Sequence, residues 1–254
     1  GFSTSLIFYD SMLSDVTKPG RMDEVSSHGY AWGYIGSCVP FLISLGIVLG
    51  NEALGISMTV AMGISFFLNA AWWLVLTLPL LRNYNQTHYS PKREHAILDT
   101  FVTLCRTFRE IKSQKHIFLF LLAFFFFIDG VYTIIDMATA FGSALGFDST
   151  MLLLALLLTQ VVAFPFALIF GKAAKKYRND TLIKICIVAY TAIALFAIQL
   201  DRVWEFWLLA GCVGMFQGGI QALSRSYFAK IIPPEKAGEY FGLFDICGKG
   251  ASFM

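Results

Sequence analysis

Apolar residues are grouped along the chain into long runs separated by shorter polar stretches. The longest runs cover residues 32–49, 57–80, 117–135, 149–170, 182–200 and 204–223. About 20 mostly apolar residues in helical form cross a bilayer core of about 30 Å. These runs are too long for strands, and a segment in lipid must satisfy its backbone hydrogen bonds internally. The pattern therefore predicts six membrane-spanning helices.

Two further apolar stretches lie at the ends of the chain, at residues 1–9 and 240–254. Each is too short to span a bilayer, so we interpret them as parts of two more helices. The fold class expected is all-α, a polytopic transmembrane helix bundle with about six complete spans and two truncated ones. We expect the sequence to be a piece of a longer protein.

The composition supports this fold class. Hydrophobic residues make up 57% of the chain and charged residues 14%, against about 25% charged residues in a soluble domain. The number of cysteines is odd, no CxxC occurs, and the four histidines lie in loops, which argues against a disulfide framework or a metal site. No catalytic or phosphate-binding motif occurs, so we expect neither an enzyme nor a cofactor, and the basic loops carry no nucleic-acid motif.

Basic residues are concentrated in alternate loops. Seventeen of the 19 Lys and Arg residues lie in or beside the connections at 10–31, 81–116, 171–181 and 224–239. The positive-inside rule predicts that these four connections are cytoplasmic. Every predicted span agrees with that single orientation.

The longest loop contains an amphipathic segment. Apolar residues recur with helical spacing at Ile97, Phe101, Leu104, Phe108 and Ile111. The opposite face carries Asp99, Arg106 and Arg109, so the pattern predicts a helix over residues 96–111. Two placements remain open: along the cytoplasmic membrane surface, or packed beneath the bundle.

Ionisable residues within spans are the first candidates for function because they are expensive to place in lipid. Asp129 and Asp136 lie seven residues apart, on one helix face and about 10 Å apart along the axis. Asp245 and Lys249 have the i, i+4 spacing that brings side chains together. Asp129, near the middle of its helix, either binds a proton or faces substrate, or it is a structural partner of a cation or a helix end. Asp136, near the outer end, is either part of the pathway or merely interfacial. For Lys249 the partner is either Asp245 or a carboxylate on another helix, with Asp129 the foremost candidate.

The last complete span adds two polar side chains. Gln217 and Gln221 share a face, and Gly218 and Gly219 between them permit close helix approach. Polar side chains with small neighbours either hold helices together or line a path for solute. Both interpretations remain open.

Five stretches of the chain resemble one known family. They are GYAWGYIG (29–36), AWWLVLTLPL (71–80), FLLAFFFFIDGVYTII (120–135), QVVAFPFALIFGK (160–172) and QGGIQALSRSYFAKIIPPEKAGEYFGLFDICGKGASF (217–253). The sequence is similar to the vacuolar-effluxer-like branch of the major facilitator superfamily. That branch includes autophagy-related amino-acid exporters of fungi and bacterial relatives.

The resemblance implies a twelve-helix secondary transporter whose two halves rock about a central site. Residues 1–81 then form the end of the N-terminal half, 82–116 the cytoplasmic inter-half loop, and 117–254 a truncated C-terminal half. The function it implies is efflux of amino acids or similar small polar solutes across a bacterial cytoplasmic membrane. Proton coupling through Asp129 is a further option. The alternative is a non-transporting receptor or assembly platform with the same fold. The candidate pathway residues are Asp129, Asp136, Lys249, Asp245, Gln217 and Gln221.

One stretch departs from the superfamily pattern. The cytoplasmic motif that this fold carries has an acidic residue after its glycine, whereas residues 171–177 read GKAAKKY with Lys175 at that position. The resemblance therefore supplies no gating acid in this loop.

Overall fold

The computed structural model describes residues 2–88 and 96–251, and the regular elements within those ranges are all helical. The α-helices are α1 Phe2–Ser11, α2 Leu13–Val16, α3 Met22–Leu49, α4 Met58–Asn83, α5 Ala96–Ser113, α6 Lys115–Ala144, α7 Ser149–Ala173, α8 Asn179–Ala197, α9 Val203–Ile231 and α10 Ala237–Ala251. Short 3-10 turns cover Pro19–Arg21 and Pro234–Lys236. The predicted all-α fold class is confirmed.

Six of these helices are long and apolar enough to cross a membrane, namely α3, α4, α6, α7, α8 and α9. They coincide with the six predicted runs but extend beyond most of them. An apolar run marks the part of a helix that suits lipid, whereas backbone hydrogen bonding continues until a capping residue ends it. At the start of α7, for example, the Asp148 carboxylate accepts hydrogen bonds from the backbone N–H groups of Thr150 and Met151, at 2.9 and 3.2 Å.

The bundle is organised around α9, which packs against α3, α7 and α8. Glycines on α9 allow this close approach. A Cβ at Gly214 would lie 2.6 Å from the backbone oxygen of Thr159, and one at Gly218 would lie 2.8 Å from the Ala167 side chain. The small-residue positions of α9 therefore set the contact between α7 and α9.

Stacked phenylalanine rings attach α10 to the bundle. The ring centroids of Phe124 on α6 and Phe244 on α10 are 4.0 Å apart, and those of Phe228 on α9 and Phe244 are 4.9 Å apart. Phe241 adds an edge-on contact to Phe228 at 5.3 Å. This aromatic cluster holds α10 beside α6 and so determines which α10 side chains face inward.

The loops that carry the basic residues meet at one end of the bundle, which we call the basic end. The start of α3, the connection after α7 and the end of α9 are joined there by hydrogen bonds and ion pairs. Their meeting at one end agrees with the alternation of loop charge along the sequence. The side of the membrane on which this end lies stays a prediction.

The loop after α4 is tied to the basic end by Asp15. Its carboxylate accepts hydrogen bonds from the Tyr84 hydroxyl, from the Thr87 backbone and hydroxyl, and from the His88 backbone. Burial opposes ionisation of Asp15, but these donors outweigh it and lower its pKa to about 2. This carboxylate therefore stays charged and fixes where the chain leaves α4.

The amphipathic helix is present as α5, and one edge of it packs against the bundle. Thr103, Thr107 and Ile111 are buried on that edge. Glu110 forms a 2.6 Å ion pair with Lys236, which raises the pKa of Lys236. Phe108, which was expected within the apolar stripe, is instead 58% exposed. The helix thus packs beneath the bundle along one edge and leaves another edge uncovered.

Candidate functional site

A cavity of about 400 Å³ lies where α1, α3, α6, α9 and α10 meet, and we call it the central cavity. Its polar lining residues are Tyr9, Asp10, Tyr30, Tyr132, Asp136, Gln221, Asp245 and Lys249. A second cavity of about 330 Å³, the side cavity, shares Tyr9, Tyr30 and Gln221 with it and adds Tyr34, Gln160 and Arg225. Both cavities are lined by residues from before and after the long loop. We call the parts on its two sides the N-terminal segment (2–88) and the C-terminal segment (96–251).

Helix α6 lines the central cavity with every fourth residue. Phe124, Ile128, Tyr132 and Asp136 lie on one face because residues four apart in a helix are neighbours. Asp136 is therefore at the cavity, as its candidate role requires. Asp129 is half-buried on the edge of this face and is not among the residues that line the cavity. The structure separates these two candidates, and a pathway role for Asp129 stays a prediction.

Helix α10 contributes the pair predicted from its spacing. The Lys249 ammonium group lies 2.5 Å from a carboxylate oxygen of Asp245, and both side chains line the central cavity. Of the two partners considered for Lys249, the structure selects Asp245 over Asp129. The pair gives the cavity a positive and a negative group side by side.

The two glutamines of α9 have different surroundings. Gln221 accepts a 2.8 Å hydrogen bond from the Tyr34 hydroxyl and lines both the central and the side cavity. Gln217, one turn away, is buried against a small separate cavity with Thr159 and Phe206. Its carbonyl oxygen has no hydrogen-bond partner among the described residues. Only Gln221 therefore joins the central group of candidates.

Arg225 is the most densely contacted polar side chain at this site. Its guanidinium group donates to an Asp10 carboxylate oxygen at 3.0 Å and to the hydroxyl and backbone oxygens of Ser26 at 2.9 and 3.1 Å. It also lies 5.1 Å from the ring centre of Tyr9 and 4.7 Å from that of Tyr30. All four partners belong to the N-terminal segment, whereas Arg225 belongs to the C-terminal segment. The contact therefore joins the two segments through a buried cation.

The position of Arg225 corrects the sequence analysis, which assigned residues 224–239 to a loop. Helix α9 continues to Ile231, so Arg225 lies inside the helix and is buried. The apolar run ends near residue 223 because the following turns carry Ser224, Arg225 and Ser226, which pack against α3 rather than lipid. A sequence signal was present, since an i, i+4 continuation of the Gln217 and Gln221 face reaches Arg225.

A second polar layer lies one turn closer to the basic end. The buried Asp23 carboxylate accepts hydrogen bonds from the Asn179 side chain at 2.6 Å and the Ser226 hydroxyl at 2.7 Å, and it pairs with Lys230. Glu24 beside it pairs with Lys175 at 3.1 Å. Lys175, which occupies the position where the superfamily motif has an acid, thus pairs with an acidic residue on α3. Lys175 and Glu24 therefore form an ion pair between the two segments.

Comparison with known proteins identifies the family. Residues 11–254 match the model of the family described as "Vacuole effluxer Atg22 like". The chain belongs to this family. The resemblance found in the sequence is therefore confirmed.

Relatives of this Atg22-like chain include bacterial and fungal proteins. It is 45% identical to a Bacillus subtilis protein named "Uncharacterized MFS-type transporter YxiO", over 100% of this chain and 60% of that protein. It is 28% identical to autophagy-related protein 22 of Coccidioides immitis, over 95% of this chain and 47% of the relative. It is 26% identical to the Saccharomyces cerevisiae protein of the same name, over 93% of this chain and 52% of that relative. The chain thus spans about half of the length of these relatives, and no solved structure matches it.

The family and the six apolar helices establish an integral membrane protein. Within this Atg22-like bundle, the central cavity has an acidic balance. Asp10, Asp136 and Asp245 face it, with Lys249 paired to Asp245 and Arg225 paired to Asp10 at its edge. In the described ranges, no group of three His, Cys, Asp or Glu side chains is placed to hold a metal ion. The site therefore offers carboxylates, one ammonium group and tyrosine faces to a ligand.

Proposed function

We propose that the protein is part of a secondary transporter that moves small polar solutes bearing an amino group, such as amino acids, by alternating access. The observation that carries the proposal is the central cavity. It is polar, it is lined by both segments of the chain, and its volume of about 400 Å³ falls in the range of small-molecule sites, roughly 300–1,000 Å³.

The lining chemistry matches a solute with both charges. An ammonium group suits Asp136 and the faces of Tyr30 and Tyr132, because carboxylates and aromatic rings both attract cations. A carboxylate suits Lys249 and the Gln221 amide, which also line the cavity. A zwitterion placed between these groups satisfies both sets at once, which a hydrocarbon or a simple anion does not.

The contacts between the segments support alternating access. Arg225 with Asp10 and Ser26, and Asp23 with Lys230 and Asn179, form two polar layers near the basic end. If the segments belong to the two halves of the transporter, opening at this end must break both layers. Such discrete polar contacts can break and re-form as a transporter rocks between two states.

Direction and coupling are part of the proposal. The basic end is cytoplasmic by the positive-inside rule, and the direction we propose is export from that side. Asp136 is the carboxylate best placed to exchange a proton from within the cavity. Asp129 stays a second candidate on the edge of the same helix.

The test is transport by the full-length protein in proteoliposomes, with a labelled amino-acid mixture and an imposed pH gradient. We expect saturable, gradient-dependent flux that Asp136→Asn lowers at least about tenfold, since an interaction with a charged group contributes about 1.5–3 kcal/mol. The matched control is Glu52→Gln, because Glu52 is an exposed carboxylate in the loop after α3 and its loss should leave flux unchanged.

Two outcomes would contradict the proposal. Equal flux in the Asp136→Asn and Glu52→Gln variants would remove the central cavity from the solute path. Specific amino-acid binding without flux by folded wild-type protein would instead favour the non-transporting receptor.

A further inference from the structure

Helix α5 presents two contrasting edges. On the inner edge, the Thr107 hydroxyl donates a 2.8 Å hydrogen bond to Glu239, and Glu110 pairs with Lys236. Ile111 on the same edge is buried. These contacts attach α5 to the short segment that begins α10. The inner edge is therefore occupied by the protein itself.

The outer edge combines exposed apolar side chains with cations. Val102 is 59% and Phe108 58% exposed, and Cys105 lies exposed between them at i, i+3 spacing. The exposed cations interleaved with this stripe or immediately following it are Arg106, Arg109, Lys112 and Lys115. None of these four forms an ion pair within the part of the chain that the structure describes.

Along α5 and the first residue of α6, the basic residues Arg106, Arg109, Lys112 and Lys115 outnumber the acidic residues Asp99 and Glu110. Glu110 is the acidic residue of α5 between residues 102 and 113, and its carboxylate is held by Lys236 on the inner edge. The outer edge is thus cationic and apolar at once. That combination is typical of a helix lying in the interface between lipid headgroups and acyl chains.

The connection to α6 places this edge at headgroup depth. A single residue, Gln114, separates α5 from α6, which has 30 residues. At about 1.5 Å per residue, α6 is about 45 Å long, longer than the bilayer core of about 30 Å. The apolar run of α6 begins at Ile117, directly after the exposed Lys115 and His116, so the start of α6 lies at headgroup level and α5 ends there.

We propose that the outer edge of α5 binds anionic phospholipids of the adjacent leaflet. The four cations contact the headgroup phosphates, and Val102 and Phe108 enter the acyl-chain boundary. Because the inner edge holds the segment that begins α10, lipid binding fixes the helix that carries Asp245 and Lys249. The lipid contact itself does not depend on the proposed transport.

The experiment uses full-length protein in nanodiscs of phosphatidylcholine alone or mixed with phosphatidylglycerol. Cys105 carries an environment-sensitive fluorophore, with the other cysteines replaced, since its exposed thiol lies on the outer edge. We expect phosphatidylglycerol to shift the emission to the blue and to increase quenching by spin-labelled lipid.

Charge variants make the test specific to α5. A triple Arg106→Gln, Arg109→Gln, Lys112→Gln variant should need at least about tenfold more phosphatidylglycerol for the same shift, because each cation near an anionic surface contributes roughly fivefold. The matched control removes three exposed basic residues elsewhere at the basic end, Lys18, Lys172 and Lys176, and should behave as wild type.

A second variant tests the apolar contribution. Val102→Ser with Phe108→Ser should reduce quenching by spin-labelled lipid while leaving the phosphatidylglycerol dependence in place. Emission that is independent of phosphatidylglycerol would overturn the proposal. So would a control variant that loses the shift as completely as the α5 variant, because the attraction would then be general rather than a property of this helix.

Discussion

At the scale of single residues, the site depends on a few charges placed where lipid or protein would otherwise exclude them. Arg225 is tolerated inside α9 because Asp10 and Ser26 accept its hydrogen bonds and two tyrosine rings cover its faces. A buried charge without such partners costs several kcal/mol. This position therefore requires the planar shape of a guanidinium group as well as its positive charge.

Replacing Arg225 by Lys tests that specificity. A lysine keeps the charge, but its point-like ammonium group cannot reproduce a planar donor array between two rings. We expect Arg225→Lys to lower the free energy of unfolding by about 1–3 kcal/mol, measured by denaturation with dodecyl sulfate in mixed micelles. Arg21→Lys is the control because Arg21 is largely exposed beside Glu24. Equal denaturation midpoints for the two variants would show that the contacts around Arg225 do not require a guanidinium group.

At the scale of elements, the packing of α9 depends on where its glycines face. Gly214 lies against the backbone of α7, whereas Gly211, one turn earlier, has no atom within 4 Å of the position that a Cβ would take. The two glycines look equivalent in the sequence. The structure assigns helix contact to only one of them.

This difference predicts opposite results for two alanine substitutions. Gly214→Ala should destabilise the protein by about 1–3 kcal/mol, since its Cβ would meet the rigid Thr159 carbonyl oxygen and force the helices apart. Gly211→Ala should be neutral or slightly stabilising, because alanine favours helix over glycine by up to about 1 kcal/mol. Thermal denaturation in detergent measures both. Destabilisation of similar size in both variants would contradict the assigned α7–α9 contact.

At the scale of the whole molecule, the two segments meet at the basic end through layers of different burial. Asp23 is buried and receives three donors, whereas in the neighbouring pair Lys175 is exposed and Glu24 is half-buried. Exposed pairs contribute little, about 0–1 kcal/mol, whereas hydrogen bonds to buried charges contribute more. The buried layer should therefore control opening of this end.

A cysteine at Ser27 reports that opening, because Ser27 is fully buried against Gly171. In the full-length S27C protein whose native cysteines are replaced, we expect Asp23→Ala to increase labelling by a hydrophilic maleimide at least about tenfold, as a loss of about 1.5–3 kcal/mol implies. Glu24→Ala should change the labelling rate by less than about fivefold. A larger effect of Glu24→Ala than of Asp23→Ala would show that the exposed pair, not the buried one, holds the segments together.

The membrane-spanning helices could be predicted because hydrophobicity is a local property. The six apolar runs became α3, α4, α6, α7, α8 and α9, and the helical periodicity of residues 96–111 became α5. The i, i+4 spacing of Asp245 and Lys249 likewise placed that pair correctly. For helices and for pairs within one helix, the spacing of residues along the sequence is enough to predict the structure.

The site itself depended on contacts between residues far apart in the sequence. Asp129 and Asp136 share a face by spacing, yet only Asp136 lines the cavity, because the packing of α10 on α6 decides where that face meets the cavity. Arg225 looked like a loop residue in the sequence, yet Asp10 on α1 and Ser26 on α3 accept hydrogen bonds from its guanidinium group. The sequence determined a polytopic helical membrane protein of this family, since local hydrophobicity and motifs suffice for that. The tertiary structure alone decided which charges meet, because burial and pairing depend on the neighbouring helices.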